Sequence, residues 1–149
     1  MKKVVIANDQ AAVEIKNIIV RYLEKRGYEV NNLGIDEVVS VDYPDMAEKA
    51  CLEFKKGGYE FGVVCCGTGI GISMSANKIK GIRCALLNSC YAAEMAKKHN
   101  MANIIAFGGR VEHTEPVEEI LDAFIDNNFE GERHQRRVDK IMALEKLDE

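Results

Sequence analysis

Cys66 stands at the head of Gly67-Thr68-Gly69-Ile70-Gly71, and that short stretch concentrates the chemistry of this chain. A thiol just before a helix N-terminus has its thiolate stabilised there, so it can serve as a nucleophile or as a proton-abstracting base. Three glycines at alternate positions let the backbone approach a ligand closely. The N–H groups of a following helix then suit an anion or a developing oxyanion. Plainer readings stand beside these: a small buried hydrophobe for the cysteine and a tight turn for the glycines. Spacing removes several alternatives. The glycines are misplaced for a dinucleotide fingerprint, and no Gly-Lys-Ser/Thr follows as a Walker loop needs. A cysteine phosphatase needs an arginine six residues after its cysteine, where this chain has Ile72.

Other reactive side chains lie far from Cys66 in sequence. Asp9 closes an apolar run, as an acid facing the same crevice or as a helix cap. His99-Asn100 falls where a helix ends, a place where a histidine can also be a favourable cation. Arg133 and Arg137 are four apart and share one helical face, with His134 between them. Two guanidinium groups so placed suit a phosphate dianion; pairing with the Glu130–Glu132 side or with solvent is the alternative. No metal-ligand spacing occurs, so the expected chemistry runs without metal or cofactor. Together the groups point to a phosphate-bearing substrate near a thiol, an acid and a histidine.

The elements that must position these residues read from the hydrophobic pattern. Short apolar runs at 3–7, 28–33, 61–66, 83–87 and 103–107 alternate with amphipathic stretches over 11–27, 43–56, 72–80, 89–100 and 116–127. A further helix is expected over 133–146. The run from Phe61 to Cys66 is almost wholly apolar, as a central parallel strand buried on both faces requires. Fivefold strand–helix alternation predicts an α/β fold, a three-layer α/β/α sandwich with a five-stranded parallel sheet (Rossmann-like) and a C-terminal helix. Ligands of such folds bind beyond the carboxyl ends of the strands. With no linker or repeat, 1–149 reads as one domain. A receiver domain would need an aspartate where Cys66 stands and a lysine where Gly108-Gly109-Arg110 stands.

Composition sets the outer limits. The net charge of -4 argues against general nucleic-acid binding, which needs a basic surface. No apolar run approaches the roughly 20 residues of a membrane helix, and the initial run breaks at Asn8-Asp9, too short for a secretory signal. Five cysteines, Cys51, Cys65, Cys66, Cys84 and Cys90, form no C-x-x-C pair. Neighbours on a strand point to opposite faces, so Cys65 and Cys66 are ill placed to bridge. The pattern is that of a reducing compartment, and a cytoplasmic location is expected.

Taken in order, Asp42-Tyr43-Pro44-Asp45, Cys66-Gly67-Thr68-Gly69-Ile70-Gly71-Ile72-Ser73, Ala76-Asn77-Lys78, Gly81-Ile82-Arg83, His99-Asn100, Phe107-Gly108-Gly109-Arg110 and Gly131-Glu132-Arg133-His134-Gln135-Arg136-Arg137-Val138 resemble the type B ribose-5-phosphate isomerases. The resemblance runs nearly end to end, and the family also contains galactose-6-phosphate and allose-6-phosphate isomerases. It implies aldose–ketose isomerisation of ribose 5-phosphate and ribulose 5-phosphate, with another sugar phosphate as the alternative and a non-catalytic sugar-phosphate-binding subunit as the more distant one. It implies a homodimer, often paired into tetramers, with each site shared across the interface. By position, Cys66 is the base, and the backbone of Gly67, Gly69, Ile70 and Gly71 stabilises the enediolate. Thr68 helps move protons between the oxygens, and His99 and Asp9 assist ring opening. Asn100 contacts the substrate, Arg110, Arg133 and Arg137 hold the phosphate, and Tyr43 lies nearby. One position departs: where the family commonly has Asp-His, this chain reads Asp9-Gln10. Gln10 can donate a hydrogen bond but cannot carry charge.

Overall fold

The computed structural model describes all 149 residues. In chain order the elements are β1 (Lys3–Asn8), α1 (Val13–Lys25), β2 (Glu29–Asn32), α2 (Tyr43–Lys55), β3 (Phe61–Cys66), α3 (Ile70–Asn77), β4 (Cys84–Leu86), α4 (Cys90–Lys98), β5 (Ile104–Gly108), α5 (Val117–Ile125) and α6 (Arg133–Ala143). The five strands form one parallel sheet in the order β2-β1-β3-β5-β4. Strand side chains alternate between the two faces, and both faces are covered. Val4, Ile6, Val63, Cys65, Ile105 and Phe107 pack with α1, α4 and α5. Val5, Ala7, Val64, Cys66, Ile104 and Ala106 pack with α2 and α3. The expected three-layer architecture is therefore the observed one, and α6 follows as the C-terminal helix.

Boundaries differ where side chains intervene. The first helix opens with a 3₁₀ turn at Gln10–Ala12, because Asp9 accepts the Ala11 N–H and starts the chain turning early. The third helix stops at Asn77 rather than running to Lys80. Asn77 bonds both backbone groups of Cys84, its Oδ1 taking the N–H at 2.8 Å and its Nδ2 donating to the carbonyl at 2.9 Å. That side chain ends the helix and fixes the start of the edge strand β4 together.

Candidate active site

The sheet register brings the first group of residues to one edge. Asn8 pairs with Cys65 and Cys66 with Gly108. Asp9 therefore comes level with Cys66 on the neighbouring strand, roughly 5 Å away at the backbone. The chain leaves β3 through Gly67 and Thr68 and enters α3 at Ile70, with Gly69 at φ 78° making the left-handed step between them. This step turns the Gly69 N–H onto Cys66 Sγ at 3.2 Å. The Ile70 N–H is taken by Thr68 Oγ1 at 3.1 Å. The next two donors of the first turn, on Gly71 and Ile72, have no acceptor within the chain, and Ser73 N–H begins the helical ladder by reaching the Gly69 carbonyl. A thiol with one amide on it and two more amides beside it can hold negative charge in two places, on sulfur and on a bound oxygen.

The two neighbouring cysteines are separated by the pleat. Cys65 points into the α1/α4/α5 layer, where burial drives its thiol far above the ordinary range and keeps it protonated. Cys66 belongs to the α2/α3 side and sits at the rim.

Glycine at Gly69 is obligatory for two reasons. A Cβ there would lie 2.5 Å from Leu86 Cδ1, 2.9 Å from the Phe107 carbonyl carbon and 3.1 Å from Gly108 N, at a positive φ. Gly69→Ala is expected to cost about 2–4 kcal/mol through left-handed strain and overpacking. Thermal unfolding of the variant against the unaltered chain checks this.

Neighbouring segments complete the rim. The Gly109 N–H donates to the Cys66 carbonyl at 2.8 Å and the Arg110 N–H to the Gly67 carbonyl at 2.9 Å. The Arg110 guanidinium lies along Gly67, with Nη1 3.9 Å from where a Cβ on that glycine would be. The Tyr43 ring lies over Gly71 so closely that a Cβ there would be 2.6 Å from it. Asp9 spends Oδ1 on the Ala11 N–H at 3.0 Å, so the capping role is real, and Oδ2 stays uncommitted.

Gln10 has a specific task in this fold. Its Oε1 accepts the Val41 N–H at 3.0 Å, across 31 residues. Asn8 clasps the same connection, bonding both backbone groups of Ile35 at 3.1 Å. Fully buried Lys16 pairs with Asp36. Three side chains from the β1–α1 corner thus hold the segment between β2 and α2, which delivers Tyr43 to Gly71. A neutral amide suits a latch that must only accept a backbone hydrogen.

The second group gathers elsewhere. His99 caps the C-terminus of α4, which runs antiparallel to the strands, and Arg83 Nε donates to the Asn100 carbonyl beside the start of β4. Gly62 is level with Ile104 and Cys66 with Gly108. His99 and Asn100 therefore lie at the opposite edge of the sheet, at least roughly 13 Å from Cys66 for four strand steps. α6 joins them there: the Glu130 N–H donates to the Lys98 carbonyl at 3.0 Å, and His134 stacks on His99 with centroids 4.0 Å apart and planes 10° apart. Arg133 and Arg137 are exposed and make no ion pair, so the alternative of pairing with Glu130 does not hold. The Glu130 carboxylate instead faces both imidazoles, at 3.5 Å from His99 Nε2 and 3.4 Å from His134 Nε2. Burial first, then His99 and Arg133, pushes His134 below its ordinary pKa.

Sequence spacing gave no hint of this His99–Glu130–His134 cluster, whose ligand atoms lie within 4.8 Å of one another. Two nearly parallel stacked rings hold their nitrogen lone pairs in two separate, parallel planes. An ion at about 2.0–2.1 Å from both nitrogens would sit outside both ring planes. As arranged, this is a stacked pair sharing a carboxylate. One chain thus brings together Asp9, Gln10, Tyr43, Cys66, the glycine loop and Arg110, and holds His99, Asn100, Arg133 and Arg137 apart from them.

The family model described as Ribose/Galactose Isomerase matches residues 4–141. Ribose-5-phosphate isomerase B of Escherichia coli is 39% identical over 145 residues, covering 97% of each chain. D-erythrulose-4-phosphate isomerase of Pectobacterium atrosepticum is 39% identical over 142 residues, covering 95% of this chain and 93% of that one. The solved structure of Clostridium thermocellum ribose-5-phosphate isomerase B superposes with a TM-score of 0.94 at 42% identity, covering 99% of both chains. Glycine loop, fold and near full-length similarity agree: the chain belongs to the ribose/galactose isomerase family.

Proposed function

We propose that the chain interconverts ribose 5-phosphate and ribulose 5-phosphate through an enediolate, with Cys66 as the base. The observation that carries this reading is the Gly69 N–H on Cys66 Sγ beside the two uncommitted amides of Gly71 and Ile72. The thiolate takes the proton from carbon 2 of the open-chain aldose and returns it to carbon 1. The developing oxyanion lies against the loop amides, where fixed dipoles need no reorganisation. Thr68 shuttles protons between the two oxygens. Asp9, through its free oxygen, and His99 open the furanose ring, and Asn100 contacts the substrate. Arg110, Arg133 and Arg137 bind the phosphate, whose binding energy positions the reacting carbons. Tyr43 and Gln10 wall the crevice. No metal or cofactor enters the scheme.

The separation of the two groups supports a shared site. His99, Asn100, Arg133 and Arg137 serve Cys66 only if a second copy brings its opposite sheet edge to the crevice, so the working unit is a homodimer or a dimer of dimers. Five free cysteines, three of them buried, support work in the cytoplasm, and the one five-stranded sheet supports a single domain.

A second reading keeps the chemistry and changes the sugar. Gln10 spends its acceptor on Val41, so it offers the substrate only an uncharged donor, and one relative is named for a four-carbon ketose phosphate. Measuring kcat/KM for ribose 5-phosphate, allose 6-phosphate, galactose 6-phosphate and erythrulose 4-phosphate separates the readings. The expected result is a preference of tenfold or more for ribose 5-phosphate; a higher value for another sugar reassigns the substrate.

A further inference from the structure

The turn that carries Arg110 is closed by a side chain with no role in the scheme above. His113 Nε2 lies 2.9 Å from the Gly108 carbonyl oxygen. A carbonyl can only accept, so Nε2 carries the hydrogen and donates it. His113 Nδ1 is buried and has no partner. The ring therefore spans the residues from Gly108 to His113 as a clip.

That clipped turn is pressed directly on the reactive loop. A Cβ on Gly108 would lie 2.6 Å from the Thr68 carbonyl oxygen. Gly109 and Arg110 donate their N–H groups to the Cys66 and Gly67 carbonyls. Two residues beyond His113, Glu115 Oε1 accepts the Cys90 N–H at 3.1 Å, tying the same segment to the start of α4. The connection between β5 and α5 has no regular structure to hold it. Its conformation rests on these few bonds, and among them the His113 bond is the one that fixes the far side of the Arg110 turn.

We infer that His113 is a positioning residue for anion binding: by bonding the Gly108 carbonyl it holds the turn that lays the Arg110 guanidinium along Gly67. This rests on the reading of Arg110 as a phosphate ligand. The hydrogen bond sets where Arg110 stands before substrate arrives, so losing it weakens binding of the phosphate group and leaves the proton transfer at Cys66 untouched.

The test compares His113→Ala, His113→Gln, Arg110→Ala and the double variant His113→Ala/Arg110→Ala in the full-length protein. The readouts are inhibition by inorganic phosphate, KM and kcat for the sugar phosphate, and thermal unfolding. His113→Ala is expected to raise the phosphate inhibition constant and KM about fivefold, as the loss of one ordinary hydrogen bond gives, with kcat within about twofold. His113→Gln, whose amide nitrogen reaches the place of Nε2, is expected to restore both. In the Arg110→Ala background, His113→Ala should add nothing to the phosphate inhibition constant. An equal effect with and without Arg110, or a fall in kcat without a rise in KM, overturns the inference. If Arg110→Ala itself leaves phosphate inhibition unchanged, the reading of Arg110 fails first, a result distinct from failure of the clip alone. Should the alanine variant not fold, His113→Gln and His113→Leu carry the same comparison: loss in the leucine variant with restoration in the glutamine one supports the clip, and equal behaviour of the two overturns it.

Discussion

Cys66→Ala is expected to lower kcat for ribose 5-phosphate by roughly 10³-fold, within the 10² to 10⁴ that a positioned general base contributes. Inorganic phosphate should still bind within about twofold, since the arginines assigned to the phosphate are untouched. The contrast with Cys65→Ala is part of the same expectation. That thiol lies on the other face of β3, in a core that keeps it protonated, so its removal should leave turnover within a few-fold. Steady-state kinetics of the two variants decide the matter. Near-normal turnover in Cys66→Ala would move the base elsewhere in the crevice, with Asp9 the next carboxylate in reach.

The second large effect comes from mixing two inactive proteins. Cys66→Ala lacks the base, and an Arg133→Ala/Arg137→Ala double variant lacks two of the three proposed phosphate ligands. The two lesions lie at opposite edges of one sheet. If each site takes Cys66 from one copy and the arginines from another, a heterodimer contains one site with both lesions and one with neither. At equal mixing and full exchange, half the dimers are mixed, and the activity at low substrate should recover to about a quarter of the unaltered level. Sites built within single chains would give no recovery.

Much of this was legible in the residues alone, for reasons that are local. The almost wholly apolar run Phe61–Cys66 matched a strand covered on both faces, and the glycines after it marked the turn into a helix. That placed Cys66 at a strand's carboxyl end without any tertiary knowledge. What stayed hidden depends on contacts between distant segments. Gln10 reads as a departure from a family pattern, and only the fold shows its oxygen on the Val41 N–H. Arg133 and Glu130 look like partners along the chain, yet Glu130 turns to His99 and His134 because α6 docks on the end of α4. Helical periodicity placed His99 at a helix end but not at which edge of the sheet. That follows from α4 running back against the strands, and it is the fact that separates His99 from Cys66. His113 carried no signal at all, since a single imidazole bonded to a carbonyl five residues away leaves no periodic trace.

Deuterium labelling reads out whether Cys66 carries a proton between carbon 2 and carbon 1. Ribose 5-phosphate incubated in D₂O with the unaltered protein should yield ribulose 5-phosphate with deuterium at carbon 1, because a thiol that has taken the carbon 2 proton exchanges it with solvent before returning it. The Cys66→Ala variant should form labelled ketose about 10³-fold more slowly under the same conditions. Labelling at a near-native rate in that variant would contradict the assignment of the base, and ketose formed without any label in the native chain would contradict an enediolate formed by an exchangeable thiol.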